Sequence, residues 1–204
     1  PGLNRFPPKI KFVHGTSRAT SFVFSGRNDC YVAMSTQIET ISDNQTGAKA
    51  KILPQLGFNC FSFVVPSRDE EIEVLWSEPG FSESGASPTR SGIPLLFPYA
   101  GRIFGKSFSF ENKEYSLSGE LDDGRGNAIH GFVLNRPWRV VDRQSHRVAG
   151  QFQASLDAPQ LLKLWPCDFR ITASYEIATG SLTLSLNVEN PAPGCLPFWL
   201  GAHP

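Results

Sequence analysis

The 204-residue sequence has no net charge and no long apolar run. Nineteen Lys and Arg residues balance 19 Asp and Glu residues, so bulk charge would not attract nucleic acid or an anionic membrane surface. No apolar run approaches the roughly 20 residues that a membrane-spanning helix requires. The N-terminus also lacks a charged segment followed by an apolar one, which is the pattern of a signal peptide. We therefore expect a cytoplasmic protein whose partners include neither nucleic acid nor a membrane.

Motifs for metal, nucleotide and serine-nucleophile chemistry are absent as well. The four cysteines include no Cys-x-x-Cys pair, and the four histidines include no pair two or four residues apart, so zinc and iron sites are not indicated. Neither a Gly-x-Ser-x-Gly elbow nor a Gly-x-Gly-x-x-Gly loop between a strand and a helix occurs. We expect no cofactor and no metal. The cysteines are expected to be buried free thiols: Cys30, Cys60, Cys167 and Cys195.

Short apolar or alternating runs, separated by Gly, Pro, Asn and Asp, indicate an all-β protein. The length and the 40% hydrophobic content predict one domain over residues 1–204 with a substantial core. Two hairpins are expected, turning at Asn112-Lys113 and at Ala178-Thr179-Gly180. Many short strands without strand–helix–strand alternation predict a sandwich or a barrel. The predicted strands are Lys9–Val13, Phe22–Phe24, Tyr31–Met34, Gln37–Ser42, Lys49–Leu53, Asn59–Val65, Ile72–Trp76, Ser107–Glu111, Glu114–Leu117, Trp138–Asp142, Arg147–Leu156, Phe169–Ile177 and Ser181–Glu189.

Helical signals are few. Asp157–Trp165 begins with a capping aspartate and has proline in its first turn, so a short helix ending before Pro166 is predicted. We expect one or two brief helices in the whole chain. Glu78–Thr89 is rich in Gly, Ser and Pro and is predicted to be an exposed loop.

Three polar side chains lie in segments bent by Gly and Pro: Arg102, His130 and His203. Histidine titrates near neutral pH and arginine offers a planar fork of donors, which together suit a neutral, hydroxyl-rich ligand. Each residue also has an explanation without function. A lone histidine in an apolar context is often a core or surface residue, and an arginine after a turn often pairs with a surface carboxylate. Asn127 and Arg125 are candidates for orienting the His130 ring.

Aromatic residues flank these three positions. Aromatic faces stack on the C–H faces of pyranose rings, so Tyr99 and Phe132 are predicted to contact such a ligand. The alternative is that the flanking aromatics belong to the core, which holds for most aromatics in a chain with 16 phenylalanines. The flanking set consists of Phe97, Tyr99, Phe132, Phe198 and Trp199.

Three segments together resemble the aldose 1-epimerase (galactose mutarotase) family: Gly92–Ile103, Asn127–Trp138 and Leu196–Pro204. Leu53–Asn59 and Trp165–Arg170 resemble the framework of the same family. The resemblance implies a large antiparallel β-sandwich of the galactose mutarotase type. It also implies an isomerase that interconverts the α- and β-anomers of an aldohexose, such as glucose or galactose, without a cofactor.

The family's motifs imply a role for each of the three polar residues. Arg102 would bind sugar hydroxyls, and His130 would bind the sugar near its ring oxygen and anomeric centre. His203 would be the general acid on the ring oxygen, a role that suits a side chain with a pKa near ~6.5. Gly101 stands where many members have asparagine, so one sugar hydrogen bond of the family is not expected here.

The resemblance also implies a glutamate general base and a substrate-binding aspartate, both beyond residue 204. Since the chain ends directly after His203-Pro204, we expect a C-terminally incomplete domain that is inactive as a mutarotase. Four carboxylates within the chain are available in its place, but none lies in a recognisable base motif: Glu120, Asp122, Asp123 and Glu176.

Two other functions stay open. A non-catalytic carbohydrate-binding β-sandwich would keep Arg102 and His130 but transfer no proton. A hexose-6-phosphate 1-epimerase-like protein would need further arginines around the pocket, for which Arg90, Arg125 and Arg136 are candidates. The identity of the sugar and the oligomeric state are left open.

Overall fold

Two β-sheets contain most of the strand residues of the fold. The computed structural model describes residues 10–15, 37–84 and 87–204. The strands of this described part are β1 (Ile10–Gly15), β2 (Glu39–Ser42), β3 (Lys49–Leu53), β4 (Asn59–Pro66), β5 (Glu71–Glu73), β6 (Leu95–Leu96), β7 (Arg102–Ile103), β8 (Ser107–Phe110), β9 (Lys113–Ser116), β10 (Ala128–Ile129), β11 (Arg139–Gln144), β12 (Arg147–Gln153), β13 (Arg170–Ala178), β14 (Ser181–Glu189) and β15 (Gly201–Ala202).

Helices are short, as predicted. The described residues form α1 (Phe81–Ser84) and α2 (Ala154–Asp157), together with 3-10 turns at Pro88–Arg90, Phe104–Lys106 and Pro159–Lys163. Within this part of the chain, no helix has the length and apolar character needed to cross a membrane.

The larger sheet has the strand order β1-β14-β13-β12-β11. Its β13–β14 hairpin follows from local sequence, because the turn residues Thr179 and Gly180 have φ values of 50° and 70°, which match a tight hairpin turn. Along β14, Leu182, Leu184 and Leu186 are buried and alternate with polar residues, as the strand period of two requires. β1 runs parallel to β14, whereas each neighbouring pair of strands from β11 to β14 is antiparallel.

The second sheet has the order β2-β3-β4-β5 and is antiparallel. Side chains of both sheets share one core, which contains Phe63 of β4 together with Phe152 and Tyr175 of β12 and β13. At the margin, the Arg143 guanidinium donates to both carboxylate oxygens of Glu39 over 2.8 to 3.1 Å and joins β11 to β2. This largely antiparallel, all-β architecture with brief helices confirms the predicted fold class.

Both predicted hairpins are confirmed. The β8–β9 turn consists of Glu111 and Asn112, with φ values of 48° and 61°, so it begins one residue earlier than predicted. The strands predicted at Phe22–Phe24 and Tyr31–Met34 lie outside the described residues.

The helix predicted at Asp157–Trp165 is wrong in both position and type. Asp157 is the last residue of α2, and the 3-10 turn Pro159–Lys163 follows it. The preceding strand ends at Gln153, earlier than predicted, because the Asp157 carboxylate accepts a hydrogen bond from the Gln153 amide at 2.7 Å. A side chain that captures a backbone donor in this way starts a helical turn in place of another strand residue.

The segment Glu78–Thr89, predicted to be an exposed loop, contains α1 and one buried aromatic residue. Phe81 is buried, and its ring lies 5.8 Å from that of Phe61, centre to centre. The apolar contact of this single side chain fastens an otherwise polar segment to the second sheet.

The expectation for the cysteines is correct for two of them. Cys60 and Cys167 are buried free thiols, and burial raises the pKa of each. Cys195 is an exposed free thiol, which corrects the expectation for that residue, because it lies in the irregular segment that follows β14. Cys30 lies outside the described residues.

Candidate functional site

One extended segment, Gly92–Ile103, brings the candidate residues together. Its first part contains β6, which pairs antiparallel with β15. Its last part contains β7, which pairs antiparallel with β10. Because His203 directly follows β15 and His130 directly follows β10, both histidines lie beside this one segment.

A buried asparagine holds the beginning of this segment. Asn59 Oδ1 accepts a hydrogen bond from the Ile93 amide at 3.0 Å, and its Nδ2 donates to the Ser91 carbonyl at 2.9 Å. Between them, Gly92 has a φ of 62°, and a Cβ at that position would lie 2.3 Å from Asn59 Oδ1. Only glycine can lie this close to the Asn59 side chain, so the contact fixes the backbone position at which the Gly92–Ile103 segment begins.

The backbone at His130 is held in a left-handed conformation with a φ of 64°. Its amide donates to the Gly101 carbonyl at 2.9 Å. The next residue, Gly131, has a φ of 77°, and a Cβ there would lie 2.2 Å from the Phe97 carbonyl oxygen. The Gly101 amide in turn donates to Nδ1 of the His130 ring at 3.4 Å. With Nδ1 accepting, the neutral imidazole carries its proton on Nε2.

The two imidazole rings lie close to each other. The ring centres of His130 and His203 lie 6.5 Å apart, with their planes inclined by 49°. His130 is half-buried and its pKa lies below the ordinary value, first because burial disfavours the cation and then because of the positive charges of His203 and Arg102. The His203 amide donates to the Pro94 carbonyl at 3.3 Å, which anchors the end of the chain to the shared segment.

Arg102 lies on β7, beside the backbone that carries His130. Its Nε donates to Asp123 Oδ2 at 2.9 Å, and its side chain is 59% exposed. The pairing with a carboxylate, which sequence reasoning named as the alternative to a function, is therefore present. It uses Nε, and among the described residues the two terminal nitrogens of the guanidinium form no further hydrogen bond.

The residues predicted to orient the His130 ring do something else. The Asn127 side chain donates to Asp123 Oδ2 at 2.9 Å, and the Arg125 amide donates to Asp123 Oδ1 at 2.9 Å. The His130 ring is contacted by the Gly101 amide instead. Sequence reasoning missed Asp123 as the centre of these contacts. The signal was an aspartate four residues before an asparagine with two glycines between them, a pattern typical of side-chain-capped turns.

The prediction that Tyr99 and Phe132 contact a ligand is corrected by their burial. Their exposed fractions are 1% and 0%, and both rings pack on Trp165 with centre-to-centre distances of 5.6 and 5.7 Å. They belong to the core beneath the site because their apolar area is already covered. Of the flanking aromatics, Phe198 and Trp199 are solvent-exposed, with exposed fractions of 42% and 61%.

The carboxylates near the site are already paired. Glu120 accepts from Arg136 with both oxygens, at 3.1 and 2.9 Å. Asp122 pairs with Lys106, and Asp123 pairs with Arg102. Among residues 10–15, 37–84 and 87–204, no group of three or more His, Cys, Asp or Glu side chains is arranged to hold a metal ion.

The fold is shared with solved proteins of similar sequence. The Slr1438 protein from Synechocystis sp. PCC 6803 superposes with a TM-score of 0.68 at 22% identity, over 86% of this chain and 56% of that one. A galactose mutarotase-like protein from Lactobacillus casei ATCC 334 superposes with a TM-score of 0.62 at 23% identity, over 81% and 48%. A largely antiparallel fold of the galactose mutarotase type is therefore present.

Sequence comparison gives the same result. The uncharacterized protein YphB of Escherichia coli (strain K12) is 24% identical over 139 residues, which are 65% of this chain and 44% of YphB. The chain thus spans about half the length of the relatives it matches. The model of the aldose 1-epimerase family matches residues 39–204, which include all three polar residues of the site. The chain belongs to the aldose 1-epimerase family.

Proposed function

We propose that His130, His203 and Arg102 form the sugar-binding and proton-donating half of an aldohexose mutarotase site. The observation that carries this proposal is the pair of imidazoles with ring centres 6.5 Å apart, beside an arginine whose terminal nitrogens form no hydrogen bond within the part of the chain that the structure describes. Membership in the aldose 1-epimerase family supports the reaction class. The name of the Lactobacillus casei relative supports galactose as a first sugar to test.

In this proposal each residue acts at one part of the sugar. The terminal nitrogens of Arg102 donate to neighbouring hydroxyls. His130, neutral near pH 7 because its pKa is lowered, binds near the ring oxygen and the anomeric carbon through Nε2–H. His203 protonates the ring oxygen as the bond between it and the anomeric carbon breaks. The open aldehyde rotates about its bond to the next carbon, and the ring closes on the other face.

The reaction also needs a base for the anomeric hydroxyl proton. Glu120, Asp122 and Asp123 are all engaged in ion pairs, which makes them poor bases. We therefore propose that the 204-residue polypeptide binds the sugar without accelerating its mutarotation. In a protein that adds a free carboxylate to this site, the same residues would catalyse the reaction.

Binding and catalysis are tested separately on the 204-residue polypeptide. Titration with galactose and with glucose, followed by 1H–15N NMR, is expected to shift the side-chain signals of Arg102, His130 and His203. Arg102→Ala should abolish the shifts, while His146→Ala, at the exposed turn between β11 and β12, should preserve them. No shift at any reachable sugar concentration would reject the binding proposal.

Polarimetry on freshly dissolved α-galactose and α-glucose tests the proposal that catalysis is lacking. The rate of optical change is expected to equal the spontaneous rate. A faster rate that His203→Ala removes would overturn that expectation and would show that a group within this chain supplies the base.

A non-catalytic carbohydrate-binding β-sandwich is the second candidate, favoured by the ion-paired state of the three nearby carboxylates. A hexose 6-phosphate ligand has less support, because Arg136 already binds Glu120 and donates to the Phe132 carbonyl. Titration with glucose 6-phosphate beside glucose separates these candidates. Tighter binding of the phosphate ester would favour the phosphate-specific function.

A further inference from the structure

Asp123 is an almost fully enclosed carboxylate in the loop between β9 and β10. Its side chain is 3% exposed. Oδ1 accepts from the amides of Arg125 and Asn127 at 2.9 and 3.1 Å, and Oδ2 accepts from Arg102 Nε and Asn127 Nδ2, both at 2.9 Å. Four donors therefore occupy the two oxygens. A carboxylate in this state has no lone pair left for a substrate proton.

The partner of Asp123 in this loop is Asn127, three residues before His130. Besides its contacts to Asp123, Asn127 accepts from the Gly105 amide at 3.3 Å through Oδ1. Gly105 follows β7, which carries Arg102, and Asn127 directly precedes β10, which leads to His130. The Asn127 side chain therefore connects the ends of these two paired strands. The side-chain amide of Asn127 thus links the Asp123 loop to the backbone beside Arg102 and His130.

Arg102 needs such a support because its side chain is mostly exposed. An exposed arginine samples many rotamers, and ordering it for a ligand costs conformational entropy. Among the described residues, Asp123 is the acceptor that Arg102 uses. A charge-assisted bond at Nε fixes the plane of the guanidinium while its other two nitrogens stay available.

We propose that Asp123 and Asn127 are positioning residues that hold the Arg102 guanidinium in place for the sugar that His130 and His203 would bind. This inference rests on the proposed function for the meaning of that orientation. The arrangement itself is a property of the free protein. The pKa of Asp123 is held well below its ordinary value, first by the hydrogen bond from Asn127, so the acceptor stays ionised throughout the neutral range.

The test uses the Nε–H signal of Arg102 in the 15N-labelled polypeptide, assigned with Arg102→Lys. In the unsubstituted protein this proton is expected to exchange slowly with water. Asp123→Asn replaces the carboxylate opposite Nε with a neutral amide and should raise the exchange rate by about tenfold or more, the loss expected for one charge-assisted bond.

The double variant Asp123→Asn with Asn127→Asp separates positioning from loop folding. Exchanging the two side chains restores a donor–acceptor pair between positions 123 and 127 and so repairs the loop. It does not restore a carboxylate opposite Arg102 Nε. The double variant should unfold closer to the unsubstituted protein than Asp123→Asn does, yet still show fast Arg102 Nε–H exchange and weaker galactose binding.

The results of these experiments test the positioning role and the proposed function separately. Slow Nε–H exchange in the folded double variant, or in folded Asp123→Asn, would overturn the positioning role. If Asp123→Asn fails to fold, the double variant alone decides. If the unsubstituted protein shows slow exchange that the double variant loses, but binds no sugar, the positioning contact stands and the proposed function fails.

Discussion

The ring centres of His130 and His203 lie 6.5 Å apart, although the strands that directly precede them, β10 and β15, do not pair with each other. Each strand pairs with a different end of the Gly92–Ile103 segment, which makes that segment the common support of the site. Any change that displaces the segment should therefore alter the separation of the rings before it unfolds a sheet.

Replacing Asn59 with alanine should destabilise the protein by about 3 kcal/mol, because it leaves the buried Ile93 amide and Ser91 carbonyl without partners. Urea unfolding at neutral pH measures this loss. Asn44→Ala, in the exposed turn after β2, is the matched control and should change stability by less than about 0.5 kcal/mol. Equal effects of the two substitutions would contradict the anchoring role of Asn59.

Gly131→Ala should destabilise the protein much more than alanine at a glycine whose added Cβ would contact no other atom. Gly80 also has positive φ, 73°, but a Cβ there meets nothing within 4 Å. Both substitutions carry the left-handed penalty of about 1–2 kcal/mol. Gly131→Ala adds a clash with the Phe97 carbonyl at 2.2 Å, so its free energy of unfolding should fall by at least about 2 kcal/mol more. Chemical denaturation of both variants checks the difference.

Tyr99→Phe should leave galactose binding unchanged and should keep or slightly raise stability. The Tyr99 hydroxyl is buried and, within the described residues, forms no hydrogen bond of normal geometry, although the Gly131 amide lies near it, so removing it relieves a desolvation cost of about 1 kcal/mol. Thermal unfolding together with NMR titration provides both readouts. Loss of sugar binding without loss of stability would return Tyr99 to the list of ligand contacts.

Stability should rise between pH 5 and pH 8 partly because of His130. Its pKa in the folded protein is lowered by burial and then by the neighbouring positive charges. The unfolded chain therefore binds more protons in the window from the unfolded value, about 6.5, down to the folded one. The contribution is fully favourable above that window and is lost as the pH falls through it.

Comparison with His130→Asn isolates this contribution, because asparagine tolerates the left-handed backbone and does not titrate. Free energies of unfolding at pH 5 and pH 8 should differ less in the variant than in the unsubstituted protein. The same pH dependence in both proteins would show that His130 titrates alike in the folded and unfolded states.

Local signals in the sequence predicted local structure well. The β13–β14 hairpin follows from regular alternation and a glycine turn, both readable within 20 residues. The 154–168 region was predicted less well, because the Asp157 carboxylate ends β12 through a contact that composition does not reveal. Propensity is a weak guide wherever a side chain captures the backbone.

The residues of the candidate site remain a prediction, and the way in which the fold brings three of them together was not predicted. His130, His203 and Arg102 were found through family resemblance, whereas their proximity depends on pairings of two-residue strands that no periodicity signals. Tyr99 and Phe132 were misassigned because an aromatic ring beside a polar motif has the same sequence appearance in a pocket and in a core. Asp123 was missed because a polar, glycine-rich loop usually indicates a solvated turn.

The backbone at residue 130 is fixed from both sides, by the Gly101 carbonyl and by the close contact of Gly131 with Phe97. The shape of the loop therefore rests mainly on backbone contacts, to which the imidazole adds one hydrogen bond from the Gly101 amide, and the left-handed φ restricts which side chain stands there. Asparagine and aspartate share that tolerance with histidine. A single codon change from histidine to asparagine at this position would thus remove a titratable side chain from beside His203 while the fold stays as it is.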